Sequence, residues 1–456
     1  MIPRVVLVAM VTMLVSSAAA QPPGMSAPGA GVNPGPSISS PKVDVNKIAS
    51  EYPVIELVTM GIGGLIWERH GHIALCVRYE NPRDDVCYNY GIGNFRAPLQ
   101  MTWGFFRGTN SFWVGKAPRR DMLAIYQWAD RTIWVQPLPL DATQKKLVLD
   151  KLELDIRDEN KYYSYDHFFD NCTTRVRDII DSATGGRIKA MNGKVDADRT
   201  FRDLARDGFY GMKGPLLITD FAMGRITDRV PTYWERMFLP QYLREAVHEL
   251  WGIEPFVEYQ RRGRLAEAEA QAEFLRGVAG VQKPPPLDDG PSGKLEFVLV
   301  VLALTLPAWL FKALGRLNLS TSAKRSLRKL EKPGLVFAFV PYLLFGVILT
   351  FLALISPLPY VRWNDSILVL FPGDLVLPFL KVKHRVLYAR ARVAMLGAVF
   401  LLHLVNVVKQ PITPLLLWPL IPLLVVGFWP RAAAEPVVAV ETPETAKQRM
   451  KVRSKR

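Results

Sequence analysis

The sequence predicts an exported α+β domain followed by an all-α transmembrane bundle, and three observations carry that expectation. The chain opens on a secretory signal, its middle part has the mixed composition of a globular domain, and the part after Gly293 alternates apolar runs with basic clusters. At 456 residues, 49% of them hydrophobic, there is material for two or three domains.

Arg4, an apolar stretch over 5–15 and the small residues Ser16, Ser17, Ala18, Ala19 and Ala20 form the expected signal peptide, 1–20. The next segment, 21–48, is mostly Pro, Gly, Ser and Ala until residue 41, a composition that buries too little apolar surface to fold, and it reads as a tether. The exported domain is expected over 49–277, a linker over 278–293, the membrane domain over 294–430 and a basic cytoplasmic tail over 431–456.

Within the exported domain, residues 71–79 (Gly-His-Ile-Ala-Leu-Cys-Val-Arg-Tyr) alternate as a strand does. Residues 80–85 (Glu-Asn-Pro-Arg-Asp-Asp) make a turn, and 86–90 (Val-Cys-Tyr-Asn-Tyr) resume the strand. Symmetric pairing about Asn81 and Pro82 sets Cys76 opposite Cys87, within the reach of a disulfide. The same register sets Asn89 opposite Ala74 and Gly91 opposite His72. The chain has three cysteines, so in a compartment that permits disulfides one pair leaves Cys172 over. A leftover thiol of this kind is reactive or paired with another chain. The plainer alternative is three small buried hydrophobes.

The surroundings of Cys172 favour reactivity. Asp170 and Asn171 suit a helix N-cap, Val176, Ile179, Ile180 and Ala183 follow at helical spacing, and Gly185-Gly186 stops the helix. Cys172 then falls in the first helical turn, where unpaired amides and the positive end of the dipole favour a thiolate. Those amides, around Asn171 and Thr173, are also expected to receive the charge of a tetrahedral intermediate. A thiol nucleophile needs a base, and His72 is the choice because a strand can aim it. His70 sits at the strand's start, His167 precedes the helix by too short a stretch to fold back, and His248 completes the set. Asn89, diagonal to His72, would orient the imidazole.

In the membrane half, spans are expected at 295–311, 335–356, 367–380, 393–408 and 415–430. The net charge of +15 lies wholly in 312–332, 381–392 and 431–456, which hold nineteen basic and four acidic residues. Nucleic acid is therefore not an expected partner. Five crossings put all three clusters in the cytoplasm, as the positive-inside bias predicts. The weak segment, 367–380, contains Pro372, Gly373, Asp374 and Pro378; it is expected to be a broken crossing with Asp374 as an intramembrane carboxyl. The alternative is an acid near a helix end in an interfacial segment. His403 and Asn406 read as packing or interfacial groups.

A strand-borne histidine ahead of a helix-start Asn-Cys resembles the circularly permuted papain-like enzymes, among them the lecithin–retinol acyltransferase group. More closely, Gly71-His72, the Tyr-Asn-Tyr-Gly of 88–91, the Asp-Asn-Cys-Thr-Thr-Arg of 170–175 and a multi-span tail with Trp363-Asn364 resemble the Lnb family of bacterial lipoprotein N-acyltransferases. The resemblance implies a permuted papain-like periplasmic domain and an inner-membrane, multi-pass protein. It also implies transfer of a fatty acyl chain, through a thioester on Cys172 with His72 as base, from a phospholipid or glyceryl ester to the N-terminal amine of a lipid-modified lipoprotein. Asn89 rests on the hairpin register alone. Neither cofactor nor metal is expected. Arg175 and Arg177 are candidates for headgroup phosphate or for solvated helix charges; of Trp103, Phe105, Phe106, Phe112 and Trp113, most are expected in the core and some toward lipid. The rival expectations are a membrane-anchored cysteine peptidase, amidase or lipid hydrolase, and a non-catalytic membrane sensor.

Overall fold

The computed structural model describes residues 47–48, 51–94, 98–109, 111–191, 193, 195, 199–209, 212–262 and 293–429. The expected signal peptide, nearly all of the tether, the linker up to residue 292 and the basic tail lie outside the described residues.

An antiparallel sheet forms the first unit. Its strands are β1 (Val54–Met60), β2 (His72–Arg78), β3 (Val86–Ile92), β4 (Ser111–Pro118), β5 (Ile133–Pro137), β6 (Tyr162–Ser164) and β7 (Phe256–Tyr259), in the order β6-β4-β3-β2-β1-β5-β7. Between them run α1 (Pro98–Phe106), α2 (Arg119–Trp128), α3 (Ala142–Asp155), α4 (Cys172–Ala183), α5 (Phe201–Gly208), α6 (Lys213–Ala222) and α7 (Pro240–Trp251). Alternate residues of β1 and β2 serve two cores, which is why these strands are apolar throughout. Ile55, Leu57, Ile73 and Leu75 pack with Val176 and Ile180 of α4 and Leu243 of α7. Val58, Met60, Ala74 and Cys76 pack on the opposite face with Met122 and Leu123 of α2.

The hairpin register is the expected one: Ala74 pairs with Asn89 and Cys76 with Cys87, and Cys76 and Cys87 form a disulfide. The turn is a 3-10 helix, Pro82–Asp84, capped by Asn81. Gly91 does not extend the ladder to His72, because the β3–β4 pairing shifts register between Asn89 and Ile92.

The second unit is helical: α8 (Lys294–Leu314), α9 (Thr321–Ile355), α10 (Val382–Leu404) and the shorter α11 (Thr413–Phe428). Among the described residues, α8, α9 and α10 are long and apolar enough to cross a membrane. The 367–380 segment is not one α-helix. It forms a single turn, Ser366–Val369, and a 3-10 helix, Pro372–Phe379, whose prolines supply no amide to an α-helical ladder. This segment runs back along α9, so closely that a Cβ on Gly346 would stand 2.0 Å from the Leu370 carbonyl oxygen.

Breaking a helix frees carbonyl groups that an apolar environment cannot solvate. Here arginines of α10 take them. Arg392 donates to the carbonyls of Leu368 (3.4 Å) and Val369 (3.1 Å), and Arg385 to those of Leu377 (3.0 Å), Pro378 (3.1 Å) and Leu380 (3.0 Å). Arg392 also grips Asp374 from Nε at 2.7 Å and Nη2 at 3.1 Å, while Tyr388 and Tyr342 donate to the same carboxylate at 2.9 and 3.2 Å. Asp374 is fully buried and its oxygens are saturated, so it serves the packing of this broken segment.

A polar hub joins the units. Gln410 Nε2 reaches the Phe221 carbonyl, Asn364 Oδ1 and Ser366 Oγ, and Asn364 and Ser366 donate to the same carbonyl of α6. Gly224 N–H donates to the Tyr360 carbonyl, and Trp103 stacks on Phe351 of α9 at 6.0 Å. Lys294 at the start of α8 lies 3.9 Å from Asp220. With α8 starting, α9 ending, 366–379 starting, α10 ending and α11 starting at this interface, the five apolar segments run alternately away from and toward the sheet domain.

Candidate functional site

The site assembles where the head of α4 meets the open ends of β2 and β3. Asn171 is the N-cap, with an extended backbone and a side-chain oxygen that accepts from Thr173 N–H (2.8 Å) and Thr174 N–H (3.0 Å). Its Nδ2 donates to the carbonyls of His167 (2.7 Å) and Phe238 (2.9 Å). A satisfied cap stabilises a helix start by about 1 kcal/mol. The cap corrects one expectation: Asn171 and the Thr173 amide are consumed by it and cannot also receive an oxyanion. Cys172 N–H is the first helix amide that the Asn171 side chain does not take.

Cys172 is a free, buried thiol. Burial alone raises its pKa; the opposing His72 charge and hydrogen bond, the Thr173 hydroxyl and the Ile73 amide together hold the thiol below its ordinary range. Thr173 Oγ1 stands 3.8 Å from the sulfur. His72, the first residue of β2, turns Nε2 to Asn89 Oδ1 in a hydrogen bond, which leaves Nδ1 for the sulfur. An amide oxygen accepts only, so Nε2 carries the proton and the tautomer is fixed. Tyr126 of α2 stacks on the imidazole at 5.9 Å, and its hydroxyl lies 3.4 Å from Asn89 Nδ2.

The structure thus brings Cys172, His72 and Asn89 together. The other histidines stand elsewhere. Burial pushes His70 down to about 4 and His167 down to about 3; His70 bonds the Ala205 carbonyl, and His248 faces Glu254 at 3.5 Å. Arg175 and Arg177 are corrected as headgroup contacts. Arg175 chelates Asp170 at 2.6 and 2.8 Å and covers the Tyr163 ring, while Arg177 is buried over the Trp234 ring and donates to that residue's carbonyl. Both are spent on fixing α4. Of the aromatics, Phe112 is core and Trp103 reaches α9. Sequence reasoning gave no role to Tyr126 or Tyr163, whose nearness to the thiol depends on long-range packing; the cluster Tyr162, Tyr163 and Tyr165 ahead of the Asn-Cys pair is the available signal.

An α+β domain with a free thiol, joined to helices long and apolar enough to cross a membrane, defines the class: a membrane protein with a thiol-bearing domain. Residues 41–206 match the family model described as the Lnb N-terminal periplasmic domain, and the match supports an Lnb-type protein. No curated protein and no solved structure matches the chain.

An orienting role for Asn89 has a direct consequence. Asn89→Ala is expected to slow reaction of Cys172 with an acyl ester about 10- to 100-fold, the worth of one hydrogen bond to a charged ring. Asn89→Asp, which keeps the acceptor, should lose less. Stopped-flow acylation rates of the two variants check this, and equal losses would deny the hydrogen bond its role.

Proposed function

We propose that this protein is a lipoprotein N-acyltransferase of the bacterial inner membrane, with its thiol domain in the periplasm and five membrane-crossing segments. The observation that carries the reading is the lowered, unpaired Cys172 thiol beside an Asn89-oriented His72, set next to apolar helices. Phe168, four residues before the thiol, packs on Tyr360 of the helical unit at 5.0 Å between ring centres. The basic residues of 324–332 and 381–385 lie at the ends of the helices far from the thiol domain, as the positive-inside bias requires.

The reaction has two halves. His72 holds the proton of Cys172, and the thiolate attacks an ester carbonyl of a phospholipid or glyceryl donor. The carbon–oxygen bond breaks, the leaving alkoxide takes the proton from the imidazolium, and a thioester remains. The α-amine of a lipid-modified cysteine then attacks that thioester. The carbon–sulfur bond breaks, His72 accepts the amine proton and the thiolate is restored. Donor and acceptor both reside in a bilayer leaflet, so an enzyme anchored there avoids much of the entropic cost of encounter.

Intact-mass measurement of the purified protein after incubation with phospholipid vesicles tests the reading. Wild type is expected to carry a fatty-acyl adduct released by hydroxylamine, and Cys172→Ala none. A wild-type protein that stays unmodified would sink the acyl-enzyme.

A further inference from the structure

Gly91 has a positive φ of 82°, which favours glycine, and it faces the centre of the site. A Cβ built there would lie 3.5 Å from Cys172 Cβ, 3.7 Å from Tyr163 Oη and 3.8 Å from His72 Cε1. One point therefore touches the residue bearing the nucleophile, the ring of the base and a phenol, as expected of the place where a reacting carbonyl sits.

The phenol is built in. Tyr163 lies on the short strand β6, paired with Phe112 of β4, and the Arg175 guanidinium lies 3.7 Å from its ring centre. Its hydroxyl is buried and its proton has no acceptor among the described residues; the Gly91 amide faces the oxygen as a donor only. Leaving a buried donor unused costs about 1–3 kcal/mol, a cost that a substrate oxygen would relieve. Burial, reinforced by the nearby Cys172, holds the phenol above its ordinary range, so it stays protonated and able to donate.

We infer that the Tyr163 hydroxyl, together with the Cys172 amide, binds the oxyanion formed when Cys172 attacks a carbonyl. The inference rests on the acyl-thioester reading above and adds the group that stabilises its transition state. As the sulfur–carbon bond forms, the carbonyl π pair moves onto oxygen and Tyr163 donates a hydrogen bond to it without giving up its proton. As the intermediate collapses, that pair re-forms the carbonyl and the alkoxide leaves.

Two reagents separate this role from a structural one, because alkylation by iodoacetamide displaces iodide at a saturated carbon and forms no oxyanion. A p-nitrophenyl acyl ester does form one and releases p-nitrophenolate. With the full chain in lipid nanodiscs, Tyr163→Phe is expected to alkylate at the wild-type rate and to slow the p-nitrophenolate burst about 10²- to 10³-fold, the usual loss for one oxyanion donor. An undiminished burst, or alkylation and burst falling in equal proportion, would overturn the assignment. Wild-type protein that alkylates but shows no burst would instead overturn the acyl-thioester reading, and the role of Tyr163 with it.

Discussion

Replacing His72 with alanine is expected to slow the proposed thioester formation on Cys172 about 10²- to 10⁴-fold near neutral pH, the range for loss of a positioned general base. The same change should move the pH midpoint of alkylation upward. In the intact site, burial pushes the thiol up and the His72 charge and hydrogen bond, with Thr173 and the Ile73 amide, pull it down below its ordinary range. Removing His72 takes away the largest of the lowering influences and leaves the burial, so the thiolate appears only at higher pH. Rates of iodoacetamide labelling measured from acid to alkaline pH give the midpoint directly. An unchanged midpoint would separate His72 from the sulfur and remove the basis of the proposed chemistry.

The second large effect belongs to the helical unit. Arg392→Ala leaves Asp374 buried without its cationic partner and also unpairs the Leu368 and Val369 carbonyls. Breaking a buried pair in this way costs about 3–5 kcal/mol. The thermal unfolding midpoint of the variant in detergent is expected to fall steeply. The double change Asp374→Leu with Arg392→Met removes the stranded charge but not the stranded carbonyls, so it should recover only part of the loss. A wild-type midpoint for Arg392→Ala would show that the 3-10 segment holds itself up.

How much of this was legible before folding depended on sequence distance. The β2–β3 register, the disulfide and the cap at Asn171 are local, and strict alternation and cap chemistry express them within a few residues. His72 and Asn89 followed because the hairpin puts them on one face. Arg175 and Arg177 were misjudged because a charged residue near a helix start looks alike whether it meets solvent or a tyrosine and a tryptophan brought from elsewhere. Tyr163 was invisible as a neighbour of the thiol because its place depends on a three-residue strand joining the sheet edge beside β4. The 367–380 segment showed its prolines but not the arginines, up to twenty-four residues later, that make a broken path tolerable.

The Cys76–Cys87 clasp is sealed between the sheet and α2, with both sulfur-bearing residues fully buried, while Cys172 sits in the other core as a free thiol. A reduced sulfur and an oxidised pair therefore coexist in one domain, in different cores. A mild reductant added to preserve the one finds the other walled off, so purification need not choose between them. The clasp also ties together the two strands that carry His72 and Asn89, so a polypeptide that has not met an oxidising environment lacks the rivet that fixes their spacing.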